Sequence, residues 1–236
     1  ALILRWLLRD CGLIWLVRVV QGWDPLNIIL NQTPLWQQEK VKPMTKAERD
    51  VPRPKFADAW RDLMAGGSAG RLLFVVVLGT MGFQMQDVLL EPYGGEILGL
   101  SVGATTWLTA MNAVGALLGF VLAARWLSQG RDAFRTAATG ILVGIAAFAA
   151  VIFASPMGSV ALFYIGAAGI GLGTGLFAVS TLTAAMALPE RGLAGRGLAL
   201  GAWGAAQATA AGLSIGLGGA LRDGVGHYAI AGHLGD

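Results

Sequence analysis

Residues 159–188 read SVALFYIGAAGIGLGTGLFAVSTLTAAMAL, thirty residues without one charged side chain. At ~1.5 Å per residue a helix of that length reaches about 45 Å, more than the ~30 Å hydrocarbon core of a bilayer. The run shows no alternation of period two, and it is three times the ~10 residues of a membrane barrel strand, so it reads as helix. Working outward, residues 72–90, 105–127, 134–154 and 197–221 are also apolar, each over about 19 residues or more, which is long enough to cross. The expected fold class is therefore all-α, a polytopic membrane helix bundle with five transmembrane helices.

Composition points the same way. Of 236 residues 55% are hydrophobic and 13% charged, 35 are glycine, and the mean hydropathy is +0.63. Soluble domains carry about 25% charge, so an ordinary water-soluble enzyme, a disordered chain and a nucleic-acid-binding module are excluded. The lone cysteine, Cys11, excludes a disulfide framework and a cysteine-based metal cluster. Arg5, Arg9, Asp10 and Arg18 interrupt the opening apolar run, so residues 1–36 do not read as a secretory signal. They read as the broken end of a preceding segment, in a chain expected to start inside a longer polypeptide.

The basic residues orient the spans. Lys40, Lys42, Lys46, Arg49, Arg53, Lys55, Arg61 and Arg71 precede the first span. Arg125, Arg131 and Arg135 follow the second, and Arg191 and Arg196 the fourth. Residues 91–104 and 155–158 hold no Lys or Arg, and the tail after the fifth span holds only Arg222. Excess Lys and Arg mark cytoplasmic loops, so the basic connections are expected inside and residues 91–104 and the tail outside. Topology thereby accounts for the net charge of +3 without an acidic partner. Residues 37–71, broken by Pro43, Pro52 and Pro54, read as a cytoplasmic linker. Within them residues 56–64, FADAWRDLM, have the spacing of a short amphipathic helix lying at the interface, with Phe56, Ala59, Trp60 and Leu63 on one face.

Helices in lipid gain little by burying apolar surface against each other, so close backbone contact matters, and glycines four apart form a groove for a neighbouring helix. Gly115 with Gly119, Gly140 with Gly144, Gly169 with Gly173, Gly171 with Gly175, Gly197 with Gly201 and Gly212 with Gly216 have that spacing. The first expectation is packing inside one bundle; the second is a face open to partner helices or a flat ligand. The glycines from 169 to 175 are also dense enough to suggest a local bend.

Polar residues inside a span are costly and become functional candidates. Asp87, with Gln84 and Gln86 beside it and Glu91 near the exit, lies ~24 Å along the first span and is a candidate coupling or docking carboxylate. Its plain alternative is an interfacial carboxylate capped by amides. Gln207 falls near the midplane of the last span and Asn112 within the second. Hydrogen bonding to a neighbouring helix is the usual role of such amides. They are also neutral oxygen donors of the kind magnesium prefers. The two histidines, His227 and His233, lie in the tail and read first as solvated surface residues. No Ser/His/Asp arrangement, phosphate loop or midplane carboxylate pair is present, so the expected protein is not an enzyme.

Residues 85–95 read MQDVLLEPYGG, residues 169–186 GIGLGTGLFAVSTLTAAM, residues 199–213 ALGAWGAAQATAAGL and residues 218–223 GGALRD. Together these closely resemble the bacteriochlorophyll delivery branch of the major facilitator superfamily, which contains the light-harvesting complex assembly proteins of the LhaA and PucC type from purple phototrophic bacteria. The resemblance runs from about residue 36 to the end. It implies twelve helices in two halves. The five spans of residues 72–236 then correspond to the seventh to eleventh helices, residues 37–71 to the linker and residues 1–36 to the end of the N-terminal half. The superfamily's gating motif is incomplete: Arg125, Gly130, Arg131 and Asp132 are present without an acidic residue before Arg125.

The resemblance implies an assembly factor of the bacterial inner membrane that binds core antenna polypeptides laterally and delivers or holds bacteriochlorophyll. It implies contact with the reaction centre–antenna complex, with pigment-synthesis enzymes and with membrane lipids, and carotenoid or lipid as further ligands. Gln207, Asn112, Gln84 and His227 then become candidate axial ligands of the chlorin magnesium, Asp87, Gln86 and Glu91 candidates for docking or coupling, and the glycine pairs candidate partner grooves. A proton-coupled carrier of a small hydrophobic molecule is the alternative, and a passive subunit of the finished photosynthetic complex a third reading.

Overall fold

The computed structural model describes residues 25, 28–30, 55–65, 67–188 and 195–230. The expectations for residues 1–24, 26–27 and 31–36 of the preceding segment, for residues 37–54 of the linker, and for Arg191 and His233 lie outside the described residues. The chain divides into two compact units, Ala1–Pro54 and Lys55–Asp236. In the first, Pro25 and residues 28–30 are helical and exposed. All that follows concerns the second unit.

Its described residues form helices and short connections: α1 (Phe56–Ala65), α2 (Ser68–Gln84), α3 (Gln86–Pro92) continued by one wide π-helical turn (Tyr93–Ile97), α4 (Val102–Ser128), α5 (Ala133–Ala154), α6 (Val160–Met186) and α7 (Gly195–Ile230). α1 covers the stretch expected as an interfacial helix, and Phe56 stacks on Trp60 with ring centroids 6.1 Å apart. Four helical stretches are long and apolar enough to cross a membrane: Ser68–Ile97, Gly103–Ser128, Ala133–Ala154 and Val160–Met186. The protein is a polytopic helical membrane protein.

Two expectations are modified. The first span does not end at residue 90, because Pro92 has a helix-compatible φ of −58° and the side-chain-free Gly94 and Gly95 let the next turn widen, carrying the helix to Ile97. The fifth run lies in a helix of 36 residues, but its glycines, with Gln207 and Trp203, leave it outside the four stretches apolar enough to cross by composition.

Sharp turns separate the spans. Gly130 (φ 81°) and Gly158 (φ 58°) take left-handed conformations that a side chain would strain. Each closes the preceding helix with paired backbone bonds: Gly130 N–H to Leu127 O and Arg131 N–H to Trp126 O, and Gly158 N–H to Ser155 O and Ser159 N–H to Ala154 O. The next helix is capped at once, Asp132 accepting from Arg135 N–H at 2.9 Å and Ser159 from Leu162 N–H at 3.2 Å. The residues of the incomplete gating motif therefore terminate and start helices here, with the Arg131 guanidinium 4.6 Å from the centre of the Trp126 ring.

α6 is the hub. A step of two residues turns a helix by about 200°, so in the run GIGLGTG alternate glycines face opposite sides. Gly171 and Gly175 lie against the α4 backbone at Asn112 and Ala116, while Gly169 and Gly173 lie against α5 at Ala147 and Gly140. α4 answers with Gly115 and Gly119, set against Ala168 and Leu172, and α5 with Gly140 against Gly173 O. α6 is thus held between two helices at backbone contact, and it is helical without interruption from Val160 to Met186. Aromatic rings close the remaining space. Phe177 of α6 fills the site of the missing side chain at Gly79, and Phe83 of α2 does so at Gly144, the two rings 5.8 Å apart. Bulky side chains such as Phe74, Leu117, Val121, Leu142, Ile152 and Ile165 point away from this core, as lipid-facing residues do.

α7 packs along α2 and α3. Ser214 donates to Met81 O at 3.1 Å, and Trp203 Nε1 donates to Thr181 Oγ1 of α6 at 3.3 Å. Because the α4–α6 contact leaves no room for a Cβ at Gly171, Gly171→Ala should destabilise the fold by about 1–3 kcal/mol. Gly201→Ala, at a helix position with open space around it, should stabilise the isolated protein by about 0.5–1 kcal/mol. Thermal unfolding of both variants in one detergent, followed by circular dichroism, checks the opposite signs.

Candidate functional site

The segment MQDVLLEPYGG forms α3 and the start of the π-helical turn, and it presents different chemistry on two faces. On one, Asp87 and Glu91 stand one turn apart, both exposed. Gln86 Nε2 donates to Asp87 Oδ1, and Thr109 Oγ1 of α4 donates to Glu91 Oε1 at 3.3 Å. The carboxylates are thus held by an amide and a hydroxyl and form no ion pair among the described residues.

The other face walls a cavity of about 740 Å³ between α2–α3 and α5. Gly79, Gly82, Phe83 and Leu89 line one side, and Ile141, Gly144, Ile145 and Phe148 the other. Gln86, buried at 9% exposure, is the amide in this wall. At the rim Arg222 of α7 donates from Nη2 to Glu96 Oε1 at 2.9 Å. The Tyr93 hydroxyl lies 3.5 Å from Ile152 O and ties the π-helical turn to α5. On the α2 side the space is left open at Gly82, where an added Cβ would meet nothing within 4 Å.

The remaining expected site residues are dispersed. Asn112 Nδ2 donates to Ala167 O of α6 at 3.4 Å, so this amide joins two helices. Gln207 is half-buried on α7, Gln84 half-buried at the end of α2, and His227 exposed near the end of α7. They do not converge on a common point. Of the glycine pairs, those at 115 and 119, 140 and 144, 169 and 173, and 171 and 175 are closed by neighbouring helices or rings. Gly197, Gly201, Gly212 and Gly216 have nothing within 4 Å of a would-be Cβ. No group of three His, Cys, Asp or Glu able to hold a metal ion occurs among the described residues. The Glu96–Arg222 pair and the cavity went unnoticed in the sequence. Its one signal was a single basic residue at the end of the bundle otherwise free of Lys and Arg.

Comparison with known proteins identifies the chain. The family model described as PUCC protein matches residues 1–235. The chain belongs to the PUCC protein family. It is similar to an uncharacterized protein of the puhA–bchM intergenic region of Rhodobacter capsulatus, 58% identical over all of this chain and 49% of that protein. It is also similar to Protein PucC of Rhodovulum sulfidophilum, 46% identical over 89% of this chain and 46% of the relative. A bacteriochlorophyll synthase 44.5 kDa chain of Rhodobacter capsulatus is 30% identical over 85% of this chain and 46% of its own length. This PUCC-family chain thus spans about half the length of the curated relatives it matches. No solved structure matches it.

Since Asn112 joins α4 to α6, Asn112→Ala should lower stability by about 0.6–2 kcal/mol. Thermal unfolding of the purified variant beside the parent protein checks it.

Proposed function

We propose that this PUCC-family chain is part of a non-enzymatic assembly factor for the photosynthetic antenna. It binds antenna polypeptides laterally in the bacterial inner membrane, with its basic loops cytoplasmic, and holds or delivers bacteriochlorophyll. The fold it contributes is the C-terminal half of a major facilitator bundle. The reaction centre–antenna complex is where its cargo ends, pigment-synthesis enzymes are where the pigment originates, and carotenoid or lipid shares its surface.

The observation that carries this reading is the contrast between glycine pairs. Four pairs are closed inside the unit, whereas the two on α7 are open. Ala205 and Ala208 are also exposed and continue the row between Gly201 and Gly212. A face of small residues lets another membrane helix approach to backbone contact, and short antenna helices are partners of that kind. The dispersed titratable groups support a dock over a reaction centre for chemistry.

The test is a photo-crosslinking amino acid at position 208 of the full-length protein in a phototroph. Cross-links to antenna polypeptides support the reading, and cross-links confined to the protein's own chain overturn α7 as the dock. Gly201→Leu, which raises a branched side chain on this face, should reduce co-purified antenna polypeptide by about tenfold.

A second reading, a proton-coupled carrier, is favoured by Asp87 and Glu91 one turn apart on an exposed helix face. Asp87→Asn separates the two. A carrier loses flux, measured as uptake of labelled hydrophobic substrate into proteoliposomes, while an assembly dock keeps its full complement of antenna polypeptide.

A further inference from the structure

We propose that the turn between α4 and α5 is a binding site for the phosphate headgroup of an anionic phospholipid, held by Arg125, Arg131 and Arg135. The inference is independent of the assembly reading and needs only that α4 and α5 cross a membrane. Placement is the first argument. Val114, Leu118 and Val121 of α4 are exposed and form one helical row, which the exposed Arg125 ends. On α5 the exposed row is Ile145, Leu142 and Ala138, and the exposed Arg135 ends it. Exposed apolar rows of this kind lie along acyl chains. α5 has 22 residues, a length of ~33 Å against a hydrocarbon core of ~30 Å, and Arg135 is its third residue. The side chain therefore leaves the backbone at the edge of the hydrocarbon. The exposed Phe134 and half-buried Trp126 are aromatic residues of the kind enriched at that level. Only residues 129–132 separate the two helices, so the three arginines share one end of the bundle.

Chemistry is the second. Residues 125–135 hold three arginines and one carboxylate, a net charge of +2. The carboxylate, Asp132, is engaged at the helix start, where it accepts from Arg135 N–H at 2.9 Å. Among the described residues none of the three guanidinium groups pairs with a carboxylate. Arg131 is nonetheless held in place, its guanidinium 4.6 Å from the centre of the Trp126 ring. Stacking engages the face of a guanidinium and leaves its N–H edge free, and that edge fits two phosphate oxygens at once. Arg125 and Arg135 add charge on either side. An ordered cation with free donors, at the end of apolar rows, matches a molecule that is anionic at its head and apolar below. A soluble anion has nothing to lay along the rows, and a zwitterionic lipid brings a cation of its own to a positively charged turn.

The probe is phosphatidylglycerol, offered to the full-length protein in detergent micelles with an equal amount of phosphatidylcholine of the same acyl chains. Native mass spectrometry reads the lipid retained. Phosphatidylglycerol should be retained in preference, and Arg131→Gln and Arg135→Gln should each lower its retention by about fivefold. Arg131→Lys, which keeps the charge but not the planar fork, should lower it by about threefold. Lys55 precedes α1, whose Met64 lies against Gly70 near the start of α2, and Leu72 of α2 packs with Ala133. Lys55→Gln therefore removes a charge from the same end of the bundle, outside the turn, and should leave retention unchanged. Excess inorganic phosphate should not displace the lipid. Equal retention of the two lipids overturns the proposal, whether the arginines meet carboxylates elsewhere in the full-length protein or stay solvated. So does retention indifferent to folded variants at positions 131 and 135. A loss on Lys55→Gln equal to that on Arg131→Gln marks a general field and overturns the site, and displacement by inorganic phosphate overturns the lipid as its occupant. Arg131→Lys decides the matter if the glutamine variants do not fold. Lost antenna binding with preserved lipid retention overturns only the assembly reading; the converse overturns only this one.

Discussion

Backbone contact across α6 is the constraint on which the rest depends. Lipid is as apolar as any leucine, so helices in a bilayer are held by packing and by the hydrogen bonds they can share. α6 meets that requirement on two opposite sides with one short repeat, because glycines two apart face away from each other and glycines four apart face together. The facing Gly115, Gly119 and Gly140 on its neighbours bring the backbones closer than any side chain permits. Once α4, α6 and α5 are locked, α2 has to seat against them through rings. Phe83 and Phe177 do this because Gly144 and Gly79 vacate the space.

The spans were legible in the sequence because membrane crossing is a matter of length and apolarity, both of which are local. The fate of each glycine pair was not legible. Gly171 with Gly175 and Gly212 with Gly216 have the same spacing, and only the position of neighbouring helices shows that the first is closed and the second open. The glycines at 169–175 are held by helices on both sides, which the spacing alone does not show. The first span reads shorter than its helix because Glu91 ends the apolar run, whereas the helix continues through Pro92 to Ile97.

The sequence singles out Asp87 and Glu91 because charge in an apolar run is conspicuous, and Gln86 because it adjoins them. Their division of labour was hidden, because it depends on which face of α3 turns toward α4 and which toward α5. Asn112 serves as a link between helices. Its donor is engaged by Ala167 O, and the signal that would have revealed this is its place beside the glycine contact, since Gly171 lies against the Asn112 carbonyl. Glu96 and Arg222 stand 126 positions apart, and only the fold makes them a pair.

The composition of α7 and its open face can be understood together. A helix face turned to lipid shows bulky apolar residues, as Leu142, Ile145 and Ile152 do on α5, whereas the face that lies against protein exchanges them for glycine and alanine, as Ala137, Gly140 and Ala147 do on the same helix. α7 carries Leu213, Leu217 and Leu221 exposed beside the row of glycine and alanine, with Ile215, two turns beyond Ala208, on the row itself. Trp203 and Ser214 turn their polar atoms to α6 and α2, so the open row accounts for part of the shortfall in apolarity. On the proposed reading that row was shaped for another membrane helix, whose backbone comes close where side chains are small.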